Sequence, residues 1–160
     1  GLGKDAFTLA SLGCHVTGVE RSPIVAALVH DGLMRASKDH LSSSVVSERM
    51  QLVISDAASF LEHINDDRRP DVIYLDPMFP QRSKSALVKK DMQLLQQLLE
   101  TDTDSVQLLD IALSKANRRV VVKRPRLAPP IEGPKPQSAI VGKTTRFDIY
   151  PRVPPNEFGI

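Results

Sequence analysis

The sequence predicts an α/β fold, a mostly parallel sheet with helices on both faces and an antiparallel hairpin at its C-terminal end. Three features predict it. Helical and strand-like hydrophobic periods alternate through the first half of the chain, the order that builds parallel strands joined by crossover helices. Acidic residues stand at the ends of successive apolar runs: Glu20 after Val16–Val19, Asp56 after Met50–Ile54, and Asp76 after Val72–Leu75. A glycine pair, Gly1 and Gly3, opens the first helical pattern. Glu20 comes nineteen residues after Gly1, near the ~20-residue separation that sets an acid beside a ribose in nucleotide-binding βαβ units.

The 160 residues suit one domain, residues 1–160, with an ordinary 41% hydrophobic and 25% charged content. A glycine-rich turn entering a helix should come after a strand, so a first strand is expected upstream and the chain is read as an N-terminally truncated piece of a longer protein. No apolar run approaches the ~20 residues of a membrane span. The single cysteine, Cys14, rules out an internal disulfide, fits a reducing compartment such as the cytoplasm, and reads as a small core residue. Net charge is +2, but residues 118–152 hold nine Lys/Arg against Glu132 and Asp148, a local +7 that leaves −5 elsewhere. That asymmetry points to a polyanionic partner for the C-terminal part.

In chain order, Ala6, Phe7, Leu9, Ala10 and Leu12 predict a helix that ends near Gly13. The run from His15 to Arg21 predicts a strand closing on Glu20. Ser22-Pro23 is an N-cap with a favoured first-turn proline after it, and predicts a helix to about Ala36, with Ile24, Val25, Leu28 and Val29 toward the core. His30 and His40 have no partner at ligand spacing. Residues 37–48 are polar and serine-rich and predict a loop. Met50–Ile54 is a third strand, and Asp56 both caps a helix over 57–64 and stands where an adenine edge could be bound. Asp66-Asp67-Arg68-Arg69 is a charged turn.

The central stretch is residues 71–80, Asp-Val-Ile-Tyr-Leu-Asp-Pro-Met-Phe-Pro. It predicts a short buried strand ending in a stiffened acidic and aromatic loop, because a residue before proline is biased to an extended backbone and Pro77 and Pro80 fix φ. In open α/β folds the carboxyl edge of the sheet is where ligands bind. Residues 81–90 are basic, Met92, Leu95, Leu98 and Leu99 recur at helical spacing, and a second helical run begins after Asp104. Val120–Val122 is a buried strand. Five prolines within 125–136 predict an extended loop, and 138–141 with 145–150 a terminal hairpin.

Several functions are excluded. Gly142-Lys143-Thr144 resembles the end of a P-loop, but Gln137 stands where that motif needs glycine, and residues 145–150 are strand-like where it needs a helix. One cysteine and four dispersed histidines make no metal site. No nucleophile-elbow sequence supports a serine triad. A nicotinamide oxidoreductase would need a third glycine in the turn and would leave the Asp-Pro-Met-Phe segment unexplained.

The segments GLGKDAF, VERSPIVAAL, the strand into Ser55-Asp56, YLDPMFPQRSKSALVKK, RVVVKRPRLAPP and GKTTRFDIY resemble those of class I S-adenosylmethionine (SAM)-dependent methyltransferases. More narrowly they resemble the RsmJ family of small-subunit ribosomal RNA guanine-N2 methyltransferases. The resemblance spans nearly the whole chain. It implies a Rossmann-like sheet, SAM as cofactor, small-subunit ribosomal RNA as substrate, no metal and no membrane. By resemblance, cofactor contacts fall to Lys4, Asp5, Glu20, Arg21, Asp56, Ala57 and Asp76, beside Gly1 and Gly3 of the turn. The generic amino-methyltransferase motif is Asp/Asn-Pro-Pro-aromatic, and here Met78 replaces its second proline. The Asp76 carboxylate or the Pro77 carbonyl would accept hydrogen bonds from the exocyclic amine, and Phe79 would stack on the base. Arg82, Lys84, Lys123, Arg124, Arg126, Lys143 and Arg146 are the expected phosphate contacts. Two alternatives stay open: an adenine-N6 or cytosine-N4 methyltransferase, and a non-catalytic RNA-binding module.

Overall fold

The computed structural model describes residues 2–77 and 105–152, which divide into two compact units, Gly1–Phe60 and Leu61–Ile160.

The first unit begins with α1 (Lys4–Ser11), then β1 (Val16–Glu20), α2 (Pro23–Ala36), α3 (Ser43–Arg49), β2 (Met50–Ile54) and the start of α4 (Ala57–Glu62). Two glycines bound α1, both in the left-handed region that side chains avoid. Gly3 caps its start at φ 73° and Gly13 stands just past its end at φ 101°, the common helix-stopping conformation. β1 and β2 pair in parallel, with Val16 opposite Met50 and Glu20 opposite Ile54. α2 starts as its sequence predicts: Pro23 takes the first helical position and the Ser22 hydroxyl accepts a 3.4 Å hydrogen bond from the Val25 N–H. Its buried residues are Val25 and Ala26, whereas Ile24 and Leu28 are exposed. Ile24 and Leu28 lie on the side of the helix that carries the exposed Asp31–Arg35 ion pair, and the expectation for them fails because that charged side faces out.

The serine-rich stretch is not all loop. Asp39 makes the turn ahead of α3: its carboxylate accepts from the Ser42 hydroxyl and from the Leu41 and Ser42 N–H groups, and these bonds hold it below the usual carboxylate range. α3 then buries Val46, and the Arg49 guanidinium donates to the Ala10 carbonyl at 3.3 Å. Packing of one valine face overrides the weak helix propensity of serine. Cys14, expected in the core, is exposed in the turn from α1 to β1.

The second unit holds a 3₁₀ turn (Asp66–Arg68), β3 (Val72–Leu75), α5 (Ser105–Lys115), β4 (Arg119–Pro125), β5 (Ser138–Val141) and β6 (Thr145–Pro151). Its sheet has the order β3-β4-β6-β5. β3 and β4 are parallel, with Leu75 opposite Val122, and β6 runs antiparallel to both β4 and β5. The predicted strands and terminal hairpin are present, but the parallel pairings sit in two separate ladders, and two of the three pairings in the four-stranded one are antiparallel. Ile73, Leu75, Val120 and Val122 are buried along one face of β3 and β4. α5 packs on β4 and buries Leu109 and Ala112. Burial of each of these valine, leucine and isoleucine side chains is worth about 1.5–3 kcal/mol. No described helix is long and apolar enough to cross a membrane. The expectations that concern Gly1, Met78, Phe79, Arg82, Lys84, the basic stretch 81–90 and the helical spacing at 92–99 lie outside the described residues.

Candidate active site

In each unit several of the predicted site residues stand at one edge of the ladder. In the first unit that edge is the carboxyl end of β1 and β2. The strands are parallel and in register, so Glu20 and Ile54 end together, and the Ser55 N–H continues the ladder by donating to the Glu20 carbonyl at 3.1 Å. Glu20 is half-buried, and its Oε1 accepts from the Ser22 N–H at 2.8 Å. The same serine therefore caps α2 with its hydroxyl and fixes the acid with its amide. Arg21 lies between them and is exposed. Asp56 is exposed, and its Oδ1 accepts from the Ser59 N–H at 2.9 Å, the N-cap predicted for α4; Ala57 is the first residue of that helix. At the start of α1, a Cβ on Gly3 would come within 3.6 Å of Val29 Cγ1, so the tight turn is seated against α2, with Lys4 and Asp5 beginning the helix.

These donors and acceptors fit a nucleoside cofactor such as SAM. An ionised carboxylate accepts hydrogen bonds from paired hydroxyls, as Glu20 would from a ribose. A left-handed glycine turn allows close approach to the backbone, and the first N–H groups of a helix lack intrahelical acceptors. When bound, SAM supplies an electrophilic methyl group on a sulfonium sulfur.

In the second unit, β3 and β4 end side by side, β6 begins there, and the turn 142–144 joins β5 to β6 at that same end. The parallel register carries one step past the Leu75–Val122 pair to set Asp76 beside Lys123. Lys123 Nζ lies 3.0 Å from Asp76 Oδ2, with the aspartate side chain 51% exposed and the lysine 28%. Pro77 is buried. On the same face of the sheet the Tyr74 and Phe147 rings meet across β4 with centroids 6.4 Å apart.

The opposite face carries a charged cluster. Asp148 is 1% exposed and faces Val122. It takes a two-pronged contact from Arg146, with Nε–Oδ1 at 2.7 Å and Nη2–Oδ2 at 2.9 Å, the planar fork geometry that arginine and carboxylate share. The bond to Asp148 raises the Arg146 guanidinium above its ordinary value. Arg124, opposite Arg146, is 5% exposed and donates to the Pro129 carbonyl. Burial pulls its guanidinium down, while the Asp148 charge opposes that shift. Arg146 Nη1 also donates to the Arg126 carbonyl, and the Arg126 N–H donates to the Thr144 carbonyl at 3.0 Å. Tyr150 is buried beside them, and its hydroxyl has no hydrogen-bond partner among the described residues.

The five described cations expected on phosphate thus divide. Arg126 and Lys143 are exposed at the carboxyl edge. Lys123 is paired with Asp76 and Arg146 with Asp148. Arg124 is buried, where a surface phosphate contact was expected, and its Nη2 donates to the carbonyl of Pro129 in the proline-rich loop. Sequence reasoning missed Asp148 and Tyr150. The signal was the period-two run Arg146, Asp148, Tyr150, which alternates against Phe147 and Ile149 but does not say which face is buried. Among the described residues, no group of three or more His, Cys, Asp or Glu gathers as metal ligands would.

The parallel ladders, with helices between them and acids at the strand ends, belong to the class I SAM-dependent methyltransferase fold. A crystal structure of a SAM-dependent methyltransferase from Neisseria gonorrhoeae superposes with a TM-score of 0.77 at 37% identity, covering 98% of this chain and 64% of that one. The family model described as "Putative SAM-dependent methyltransferase" matches residues 1–152, and the chain belongs to that family. Among curated proteins it is 53% identical over 150 residues to the ribosomal RNA small subunit methyltransferase J of Thioalkalivibrio sulfidiphilus, covering 94% of this chain and 58% of the relative. It is also 53% identical over 152 residues to the protein of the same description from Pseudomonas aeruginosa, covering 95% and 58%. The chain therefore spans 58% of the length of these curated relatives.

Proposed function

We propose that the protein containing this chain transfers a methyl group from SAM to the exocyclic N2 amine of a guanine in small-subunit ribosomal RNA. The observation that carries the reading is the 53% identity, over 150 residues, to a relative described as a ribosomal RNA small subunit methyltransferase. The position of Asp76 at the carboxyl edge of β3 supports it. In this reading the turn of Gly1 and Gly3 with Lys4 and Asp5, the acid Glu20 with Arg21, and the junction Asp56-Ala57 hold the cofactor, while Asp76, Pro77 and Phe79 receive the base.

A guanine amine is a weak nucleophile because its lone pair is delocalised into the ring. Hydrogen bonds from that amine to the Asp76 carboxylate and the Pro77 carbonyl favour a pyramidal nitrogen and aim its lone pair. Transfer forms the N–C bond as the S–C bond breaks, and the nitrogen then releases a proton. Positioning supplies much of the acceleration, and Asp76 need not be a strong base because the alkylated amine is acidic. The target edge is reachable only once the base is unstacked or flipped out. Arg126 and Lys143 are the described cations best placed for RNA phosphates.

Two measurements test the reading. Calorimetric titration of this chain with SAM and its demethylated product should give saturable binding. Methyl transfer by the full-length protein to small-subunit RNA, with nucleoside analysis of the product, should give N2-methylguanosine. Methylated adenine or cytosine would replace the guanine assignment, and RNA binding without any SAM binding would make the protein a recognition module.

A further inference from the structure

We propose that Lys123 is the positioning residue for Asp76 and is not a phosphate contact. The inference rests on the reading that Asp76 receives the substrate amine. Register and chemistry both support it. Lys123 comes directly after Val122, whose parallel partner Leu75 precedes Asp76, so two adjacent strand ends present an anion and a cation side by side on the face that also carries Tyr74 and Phe147. The contact is made through one carboxylate oxygen, Oδ2, at 3.0 Å. A carboxylate has about four lone-pair sites on two oxygens, so a cation on one oxygen sets the plane in which the other accepts from an amine.

The pair is half exposed, and ion pairs of that kind contribute little to stability. It is therefore weak as a structural staple and well suited to fixing a side chain that has to meet a ligand. The other cations at this edge contrast with it. Arg146 is committed to a buried acid and Arg124 to a loop carbonyl, whereas Lys123 is the one seen on the acid assigned to the reacting amine.

The test uses full-length protein with Lys123→Met, Lys123→Arg and Asp76→Asn, singly and with Lys123→Met and Asp76→Asn combined. Lys143→Met, at a residue assigned to RNA phosphate, serves as the phosphate-contact comparison. Steady-state methyl transfer to small-subunit RNA and the salt dependence of RNA binding are both measured. Lys123→Met should lower kcat about ten- to a hundredfold, the range of one hydrogen bond to a charged group. Its KM for RNA and its salt slope should stay at the wild-type values. Lys123→Arg should recover most of kcat, and the double variant should be no slower than Asp76→Asn alone. Lys143→Met should instead flatten the slope of log affinity against log salt by about 0.7, the share of one phosphate on a single strand.

A Lys123→Met protein with wild-type kcat, with or without a flattened salt slope, overturns the proposal; the flattened slope would make Lys123 a phosphate contact. Equal losses in the Met and Arg variants, accompanied by a lowered melting temperature, would make the pair structural and also overturn it. A wild-type protein that binds SAM but does not methylate the RNA refutes the functional reading itself, and is seen before any variant is compared.

Discussion

The two sheet edges hold their acids with different kinds of donor. At the carboxyl end of β1 and β2, Glu20 and Asp56 are oriented by backbone amides, those of Ser22 and Ser59. At the corresponding end of β3, β4 and β6, Asp76 and Asp148 are matched with cations, Lys123 and Arg146. A backbone amide fixes one carboxylate lone pair and leaves others for further donors. A cationic side chain adds a charge-assisted bond and ties the acid to a neighbouring strand residue. The difference agrees with the proposed reading, in which a nucleoside would meet the first edge and a polyanionic chain the second, where Arg126 and Lys143 are exposed.

Four substitutions would break or sharpen this contrast. The largest effect is expected from Asp76→Ala, which should cost at least a hundredfold in methyl transfer, about the scale for losing one preorganised group at a reacting centre. Its melting temperature should stay close to wild type, because the ion pair it breaks is half exposed; near-normal activity would remove Asp76 from the mechanism. Asp148→Ala should act on stability instead. It strands Arg146 and, beside it, the buried Arg124, and breaking a buried pair costs about 3–5 kcal/mol. Denaturant unfolding would show it, and a loss below about 1 kcal/mol would mean that the buried cluster is not electrostatically coupled.

Glu20→Ala should weaken SAM binding roughly ten- to a hundredfold, from the loss of hydrogen bonds to a charged acceptor worth about 1.5–3 kcal/mol, with little change in RNA affinity. Calorimetry and RNA binding measured on the same preparation separate the two. The smallest effect is expected from Tyr150→Phe. Its hydroxyl is buried without a hydrogen-bond partner among the described residues, so stability at neutral pH should shift by less than about 1 kcal/mol. Burial pushes the Tyr150 phenol up, and the Asp148 charge pushes it the same way. The folded state thus holds the phenolic proton more tightly than the unfolded chain, and its contribution is intact below the ordinary tyrosine value of about 10 and lost as pH rises through the raised one. Phenylalanine has no proton to lose, so melting curves above about pH 10 should fall less steeply for the variant.

Much of this was legible in the chain because local chemistry decided it. Ser22-Pro23 announces α2, Asp56 caps α4, Val120–Val122 is a strand, and glycine ends α1. Pairings across strands were not legible. Lys123 and Asp76 are 47 residues apart in sequence, and only the register of β3 on β4 brings them together. Arg124 and Arg146 read as surface cations because a strand's alternation identifies two faces without saying which is covered. Ile24 and Leu28 failed because they share the helix side of Asp31 and Arg35, whose exposed ion pair marks the outer face. The loop expected over 37–48 rested on serine content, and the burial of Val46 that turns part of it into α3 is a tertiary contact.

The proline-rich loop after β4 has a consequence of its own. Proline carries no N–H, so a segment rich in it cannot hold itself to a sheet by ordinary ladder bonds. Here the missing donors come from elsewhere: the Arg124 guanidinium binds the Pro129 carbonyl, Arg146 binds the Arg126 carbonyl, and the Arg126 amide reaches Thr144. The loop and the β5–β6 turn are thereby stitched to the same few side chains. They should open and close to hydrogen exchange as one cooperative element, so the rim of this edge behaves as a single rigid lip.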